Sequence, residues 1–313
     1  MVERLRVVFL GTPQFAVPTL EAIAGAGHDI AAVYTQPDRP KGRGQLLAAP
    51  PVKEAALRLG LPVNQPERIR RPEVIEELAA MRSGVMVVVG YGQIIPQAII
   101  DLPPLGVINV HASLLPKYRG AGPIQWAIAN GETITGVTTM KIDAGLDTGA
   151  MLLKRETAIG AEEDAIELGR RLSIMGAQLL VETLEGLGDG SITPQPQDNR
   201  EATYAPILKK EDGWIDWTRP ARTIHCRVRG FQPWPGCHTL FRGHGFHIWR
   251  ARVCDEHASR DPGALFLRNR QLIAACGGGS ALELIEVQIE GRKRMPVSAL
   301  LNGLRLHEGE KLG

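Results

Sequence analysis

Long apolar runs are missing from this chain of 313 residues. Its most apolar stretch, GVMVVVGYGQIIP, falls short of the roughly 20 residues that span a bilayer, so no membrane-crossing helix is expected. The opening MVERLRVVFLG carries Glu3 and runs into a strand pattern, unlike a signal or transit peptide, and a cytoplasmic location is expected. Cysteine is scarce. Cys226, Cys237, Cys254 and Cys276 contain no C-x-x-C pair, which favours buried reduced thiols. Zinc shared with His244 and His247 would need poorly spaced ligands, and no metal is expected. FLGTPQF, after the first strand pattern, lacks G-x-G-x-x-G and argues against a nicotinamide dinucleotide site.

Acidic residues are absent between Asp216 and Asp255, where seven arginines stand: Arg219, Arg222, Arg227, Arg229, Arg242, Arg250 and Arg252. Residues 1–190 hold 18 Lys+Arg against 21 Asp+Glu, giving −3, whereas residues 191–313 hold 18 against 13, giving +5. That asymmetry points to a polyanionic partner for the second part of the chain. Four of the five tryptophans (Trp214, Trp217, Trp234, Trp249) fall in the same part, where core packing is favoured over base stacking.

What is present is an ordinary globular composition, 44% hydrophobic and 22% charged, over a length that suits two domains. In the first half, strand patterns (RVVFLG, HDIAAVYT, GVMVVVGYG, GVINVHAS) alternate with helical ones (FAVPTLEAIAGAG, PPVKEAALRLG, RPEVIEELAAM). Nearly continuous apolar strands imply a Rossmann-like α/β domain with a parallel sheet, whose ligands bind beyond the strands' C-terminal ends. A longer helix is expected over about 161–187. The boundaries expected are a first domain over 1–190, a Pro-rich surface linker over 191–210 and a second domain over 211–313. Pro220 opens a helix with Ala221, Ile224, Val228 and Phe231 on one face and Arg222 and Arg229 on its exposed flank. Short strand patterns then follow (CHTLF, FHIWRARV, GALFL, QLIAAC, ALELIEVQ), as in a small OB-like β-barrel.

The strand INVH ends by placing Asn109 and His111 on the same face. An amide and an imidazole aimed at one point can stabilise an oxyanion, although both residues could instead satisfy loop backbone groups. Downstream, MKIDAGLDTGAML is an apolar strand opening into a Gly-rich loop with Asp143 and Asp147. Gly145 and Gly149 would allow a path that returns Asp147 to His111, where a carboxylate could orient the ring and accept a proton; an ordinary turn-forming Asp fits the spacing as well.

NVHASLLPKYRGAGPIQWAI and GVTTMKIDAGLDTGAML together resemble the formyltransferase family that uses 10-formyltetrahydrofolate. The resemblance covers nearly the whole chain through FLGTPQFA, TQPDRPKGRG and FQPWPG, and its motifs are long and specific. At Gln232, Pro233 and Trp234 the chain departs from the family's usual Asn-Pro-Trp, which touches no catalytic role. The resemblance implies that Asn109, His111 and Asp147 are catalytic and that Ser113, Leu114, Leu115 and Pro116 border the folate. The backbone around VGYGQIIP and the Asp143–Asp147 loop would hold the pterin. The branch of the family that the flanking segments resemble formylates methionine carried on initiator tRNA. That likeness implies tRNA contacts from Arg43, Lys209, Lys210, Arg222 and Arg229, in a monomer without a membrane partner. Sugar formyltransferases or formyl-folate hydrolases could share the catalytic trio, but the GRG loop and the basic asymmetry argue against both.

Overall fold

The computed structural model describes residues 4–41, 46–254, 260–307 and 309–313. It separates into two compact units. One comprises the chain up to Gly120, Thr135–Thr157 and Gly169–Tyr204; the other comprises Ala121–Ile134, Ala158–Leu168 and the chain from Ala205.

The first unit begins with β1 (Arg6–Gly11), α1 (Val17–Gly25), β2 (Asp29–Tyr34) and the antiparallel pair β3 (Arg39–Lys41) and β4 (Leu46–Ala48). It continues through α2 (Pro51–Arg58), β5 (Val63–Asn64), α3 (Pro72–Ala80), β6 (Val85–Val89), α4 (Gln97–Ile100), β7 (Val107–His111) and β8 (Arg119–Gly120). After α5 (Pro123–Ala129), which belongs to the second unit, come β9 (Ile134–Lys141), β10 (Met151–Ala158), α6 (Ala165–Gly188) and β11 (Tyr204–Ala205). Pro51, Pro72 and Pro123 each open a helix, where a missing N–H costs no intrahelical bond.

Seven strands form one sheet in the order β10-β9-β7-β6-β1-β2-β5. All five residues of β6 and the last five of β1 are buried, as expected where both faces of a sheet are covered. The pairs β1–β2, β1–β6, β2–β5 and β6–β7 are parallel. The parallel sheet expected from the strand–helix alternation therefore extends over five strands. At β7 it ends, because β9 pairs antiparallel, with His111 opposite Thr138. The chain reverses its direction of travel across the sheet between β1 and β6, the switch point where such sheets open a crevice. Loops from three strands are tied together there: the Tyr91 carbonyl accepts from Thr12 Oγ1 (2.9 Å) and Gln36 Nε2 (3.2 Å).

The second unit holds α7 (Ala221–Gly230), then β12 (Cys237–Phe241), β13 (His244–Cys254), β14 (Leu265–Arg268), β15 (Gln271–Ala275), β16 (Ala281–Ile289), β17 (Met295–Pro296) and α8 (Val297–Leu301). Ala221, Ile224, Val228 and Phe231 are buried together in its core, the apolar face that their spacing predicts. The strands run β12-β13-β16-β15-β14, with β17 on β16. Register shifts between Ile248 and Ala251 mark an irregularity in the long β13, of the kind that lets a strand bend around a small barrel. The C-terminal tail joins the two edges. Leu265 N–H donates to the Glu310 carbonyl (2.8 Å), Leu312 N–H to Gly263 (2.8 Å), and Gly313 N–H to Leu240 of β12 (3.1 Å). No helix among the described residues is long and apolar enough to cross a membrane.

Candidate active site

Asn109 and His111 stand at the end of β7, with Asn109 opposite Val88 near the end of β6. His111 is almost wholly buried, and its Nε2 lies 2.9 Å from the Tyr118 carbonyl oxygen. A carbonyl only accepts, so Nε2 carries the hydrogen and Nδ1 is the nitrogen left for chemistry. Nδ1 faces Asp147 Oδ2 at 3.7 Å, within ion-pair range but longer than a hydrogen bond. The same Oδ2 accepts the Gly120 N–H at 2.8 Å. The Asn109 side chain is half-buried, and among the described residues nothing is hydrogen-bonded to its amide. The Asn109 amide, Nδ1 of His111 and the Asp147 carboxylate thus lie towards one end of β7 with hydrogen-bonding capacity unused.

The antiparallel course of β9 makes the position of Asp147 demanding. Lys141 ends β9 opposite Ile108, three residues before His111, so the following loop must double back along β7 by about 10 Å. Asp143 Oδ1 shapes its first turn by accepting from Gly145 N–H (3.0 Å) and Thr148 Oγ1 (2.7 Å). Gly145 and Gly149 are required by contact: a Cβ would overlap Thr148 Oγ1 at the first and the Lys141 carbonyl oxygen at the second. Asp147 has φ 52° and Tyr118 φ 60°, a left-handed region that costs a non-glycine residue about 1–3 kcal/mol and persists only where its surroundings offset that cost. Gly149→Ala should displace the loop from the Lys141 carbonyl and lower turnover about 10²-fold, the scale of a 1 Å misplacement of a reacting group. Steady-state kinetics alongside a thermal melt would check this; unchanged turnover would show that the overlap is relieved without moving Asp147.

A formyl transferase profile matches residues 5–184, and a formyl transferase C-terminal-domain profile matches residues 207–305. The chain is 66% identical over 309 residues to the methionyl-tRNA formyltransferase of Solibacter usitatus, covering 99% of each chain. The chain belongs to the formyl transferase family. The methionyl-tRNA formyltransferase of Koribacter versatilis is 58% identical, with 98% of each chain covered. Among solved structures, an N-formyltransferase from Helicobacter canadensis in complex with folinic acid and dTDP-3-aminofucose superposes with a TM-score of 0.67. It has 17% identity, and the match covers 90% of this chain and 99% of that one. HypX from Aquifex aeolicus, in complex with tetrahydrofolic acid, gives a TM-score of 0.64 at 17% identity, with 96% of this chain and 47% of that one covered. At such identities these two establish a shared fold.

In this formyl transferase the Ser113–Pro116 segment is largely enclosed, and only Leu114 keeps partial exposure. Ser113 Oγ donates to the Lys117 carbonyl (2.6 Å). Thr138 Oγ1 donates to the Ser113 carbonyl (2.7 Å) and accepts the Leu115 N–H (3.1 Å), while Lys154 Nζ donates to the Leu115 carbonyl (2.6 Å). The segment therefore builds the turn that carries Tyr118 to His111, and Ser113, Leu115 and Pro116 present little side chain to a ligand. More exposed apolar surface sits on neighbouring loops, at Ile94 (91% exposed) after β6 and Leu146 (61%) beside Asp147.

The basic residues divide by role. Arg43 lies outside the described residues. Lys209, Lys210 and Arg222 are exposed. Arg229 is half-buried, not on an exposed flank as its spacing predicts, because its Nη1 donates to the carbonyls of Glu163 (2.7 Å) and Gly160 (3.3 Å). Arg227 is likewise engaged, donating to the Asp212 carbonyl (2.6 Å) while its guanidinium covers Phe231. Sequence reasoning counted Arg219 in the arginine excess and Trp214 among the tryptophans but singled out neither as a contact; both are exposed and line a cleft of about 650 Å³ together with Arg222 and Arg227. Trp217 packs in the core as expected, whereas Trp214 and Trp234 stay about half exposed. The local excess of arginine was the only signal for this cleft.

Proposed function

We propose that this chain transfers the formyl group of 10-formyltetrahydrofolate to the α-amine of methionyl initiator tRNA. The observation that carries the reading is the approach of Asp147 Oδ2 to 3.7 Å from His111 Nδ1, at the end of the strand that also carries Asn109. Supporting it, relatives 66% and 58% identical along the whole chain carry the corresponding name.

The free amine attacks the formyl carbon and produces a tetrahedral intermediate. Its oxyanion is held by the Asn109 amide N–H and by a protonated Nδ1 of His111, whose ring is locked by the bond from Nε2 to Tyr118. Asp147, oriented by Gly120, takes the proton that the attacking nitrogen loses, directly or through a water. Delivery of that proton to N10 lets the folate nitrogen leave. The pterin enters at the switch point, against the loop after β6, where Gly90 (φ 56°) and Gly92 (φ 86°) keep the backbone open beside exposed Ile94. In the second unit, Lys209, Lys210 and the Arg219–Arg222 cleft contact tRNA phosphates. Arg43 belongs to the same proposed set, whereas Arg229 contributes by shaping the unit.

Incubation with 10-formyltetrahydrofolate and charged initiator tRNA should yield formylmethionyl-tRNA. Transfer to a nucleotide-linked amino sugar but not to the tRNA would overturn the assignment. Binding of tRNA should weaken steeply with salt. The Lys209→Ala/Lys210→Ala double variant should flatten the log–log slope by roughly 0.7–0.9 per lost phosphate contact. A slope that does not change in a salt titration of that variant removes the two lysines from the contact set.

A further inference from the structure

Arg119 is 2% exposed, the bulkiest of the side chains enclosed almost completely, and it joins the two residues on which the site depends. Its predecessor Tyr118 accepts from His111 Nε2, and its successor Gly120 donates to Asp147. Its guanidinium is held by amide oxygens: Nε and Nη2 donate to Gln197 Oε1 (3.0 and 2.8 Å), and Nη2 donates to Asn199 Oδ1 (2.9 Å). Gln197 then turns its Nε2 to the carbonyls of Asp147 and Gly149, each at 2.8 Å. A closed circuit results, from the His111 ring through Tyr118, Arg119 and Gln197 to the Asp147 backbone, and from the Asp147 carboxylate back to Gly120.

We infer that Gln197, Arg119 and Asn199 act together as a positioning device that sets the Asp147 carboxylate against His111. The inference rests on the formyl-transfer reading of the site.

The chemistry of the links explains the residue types. Gln197 must accept from a guanidinium on one side and donate to two carbonyls on the other, which only a carboxamide does. A glutamate would neutralise the buried cation, which among the described residues has no carboxylate partner, but would turn a carboxylate towards two carbonyl oxygens. The arrangement thus forgoes a buried ion pair in order to hold the backbone of the Asp147 loop. The Arg119 backbone is fixed as well: its N–H donates to the Thr203 carbonyl (2.8 Å), and the Tyr118 N–H donates to Thr203 Oγ1 (2.9 Å). None of these side chains contacts the reacting atoms, so their effect runs through the placement of Asp147.

Gln197→Glu separates positioning from fold maintenance, because it keeps or strengthens the bond to Arg119 while removing both donors to the loop. The variant should stay folded with a cooperative melt, the ion pair to Arg119 offsetting part of the two lost hydrogen bonds. Meanwhile kcat should fall about 10–100-fold, with KM for folate and tRNA within about threefold, the pattern of a displaced catalytic group. Amide hydrogen exchange across residues 143–150 should quicken in the same variant. Asn199→Ala, at an exposed position, should lower kcat by a smaller factor of about 3–10 and raise exchange in the same loop. A folded Gln197→Glu with kcat within twofold of the parent and unchanged loop exchange would overturn the inference. If Gln197→Glu fails to fold, unchanged kcat and exchange in Asn199→Ala would overturn it. A parent protein that does not formylate tRNA sinks the functional reading, and the exchange measurement then decides the fate of the circuit by itself.

Discussion

Asp147→Asn should lower kcat for formyl transfer by about 10³-fold, within the 10²–10⁴ that general acid–base groups contribute. The amide oxygen of Asn can still accept the Gly120 N–H and the backbone can keep its circuit, so the fold and both KM values should change little. In the proposed mechanism, what disappears is the acceptor for the proton released by the attacking amine, together with the carboxylate that faces His111 Nδ1. Single-turnover formylation, followed in parent and variant at saturating substrates, measures the chemical step. Retained turnover would force proton removal onto another group, and with it the reason for the contorted loop after β9.

Asn109→Ala should cost about 10²–10³ in kcat, the usual effect of removing one oxyanion donor. The variant is a clean one. Among the described residues no hydrogen bond to the Asn109 amide is lost, and its neighbours Met140 and Val88 are held by the sheet. Affinity for tRNA should therefore stay as it was, and the loss should appear equally in kcat and kcat/KM. If both groups serve one intermediate, as proposed, the Asn109→Ala/Asp147→Asn double variant should lose less than the sum of the two free-energy penalties. Full additivity would mean that the two side chains act in different steps.

Much of this site is legible from the amino-acid order because it obeys local rules. The period-two alternation of β7 puts Asn109 and His111 on one face, and the glycines around Asp147 announce a tight loop. The direction of β9 is not legible in the same way. A run of β-branched residues reads identically whether its strand pairs parallel or antiparallel, and register is settled only by partners far along the chain. The role of Arg119 is hidden for a related reason. Arginine before glycine in a loop suggests solvent or nucleic acid, and the group that buries it, Gln197, lies 78 residues onward in a stretch that reads as a polar linker. Arg229 misleads in the opposite sense, since seven-residue spacing predicts a shared flank with Arg222 but not the carbonyls of Gly160 and Glu163 that capture it.

The run from His111 to Gly120 has a fixed gauge. One end is clamped by the sheet, and the other must present a carbonyl and an N–H two positions apart to partners that do not move with it. A substitution at an exposed position such as Lys117 can therefore be absorbed, but a change in the count cannot. Related enzymes should tolerate extra or missing residues at an open turn such as the one at Gly27 and show none in this interval, so a single-codon insertion between Ser113 and Tyr118 should inactivate the enzyme whatever residue it adds.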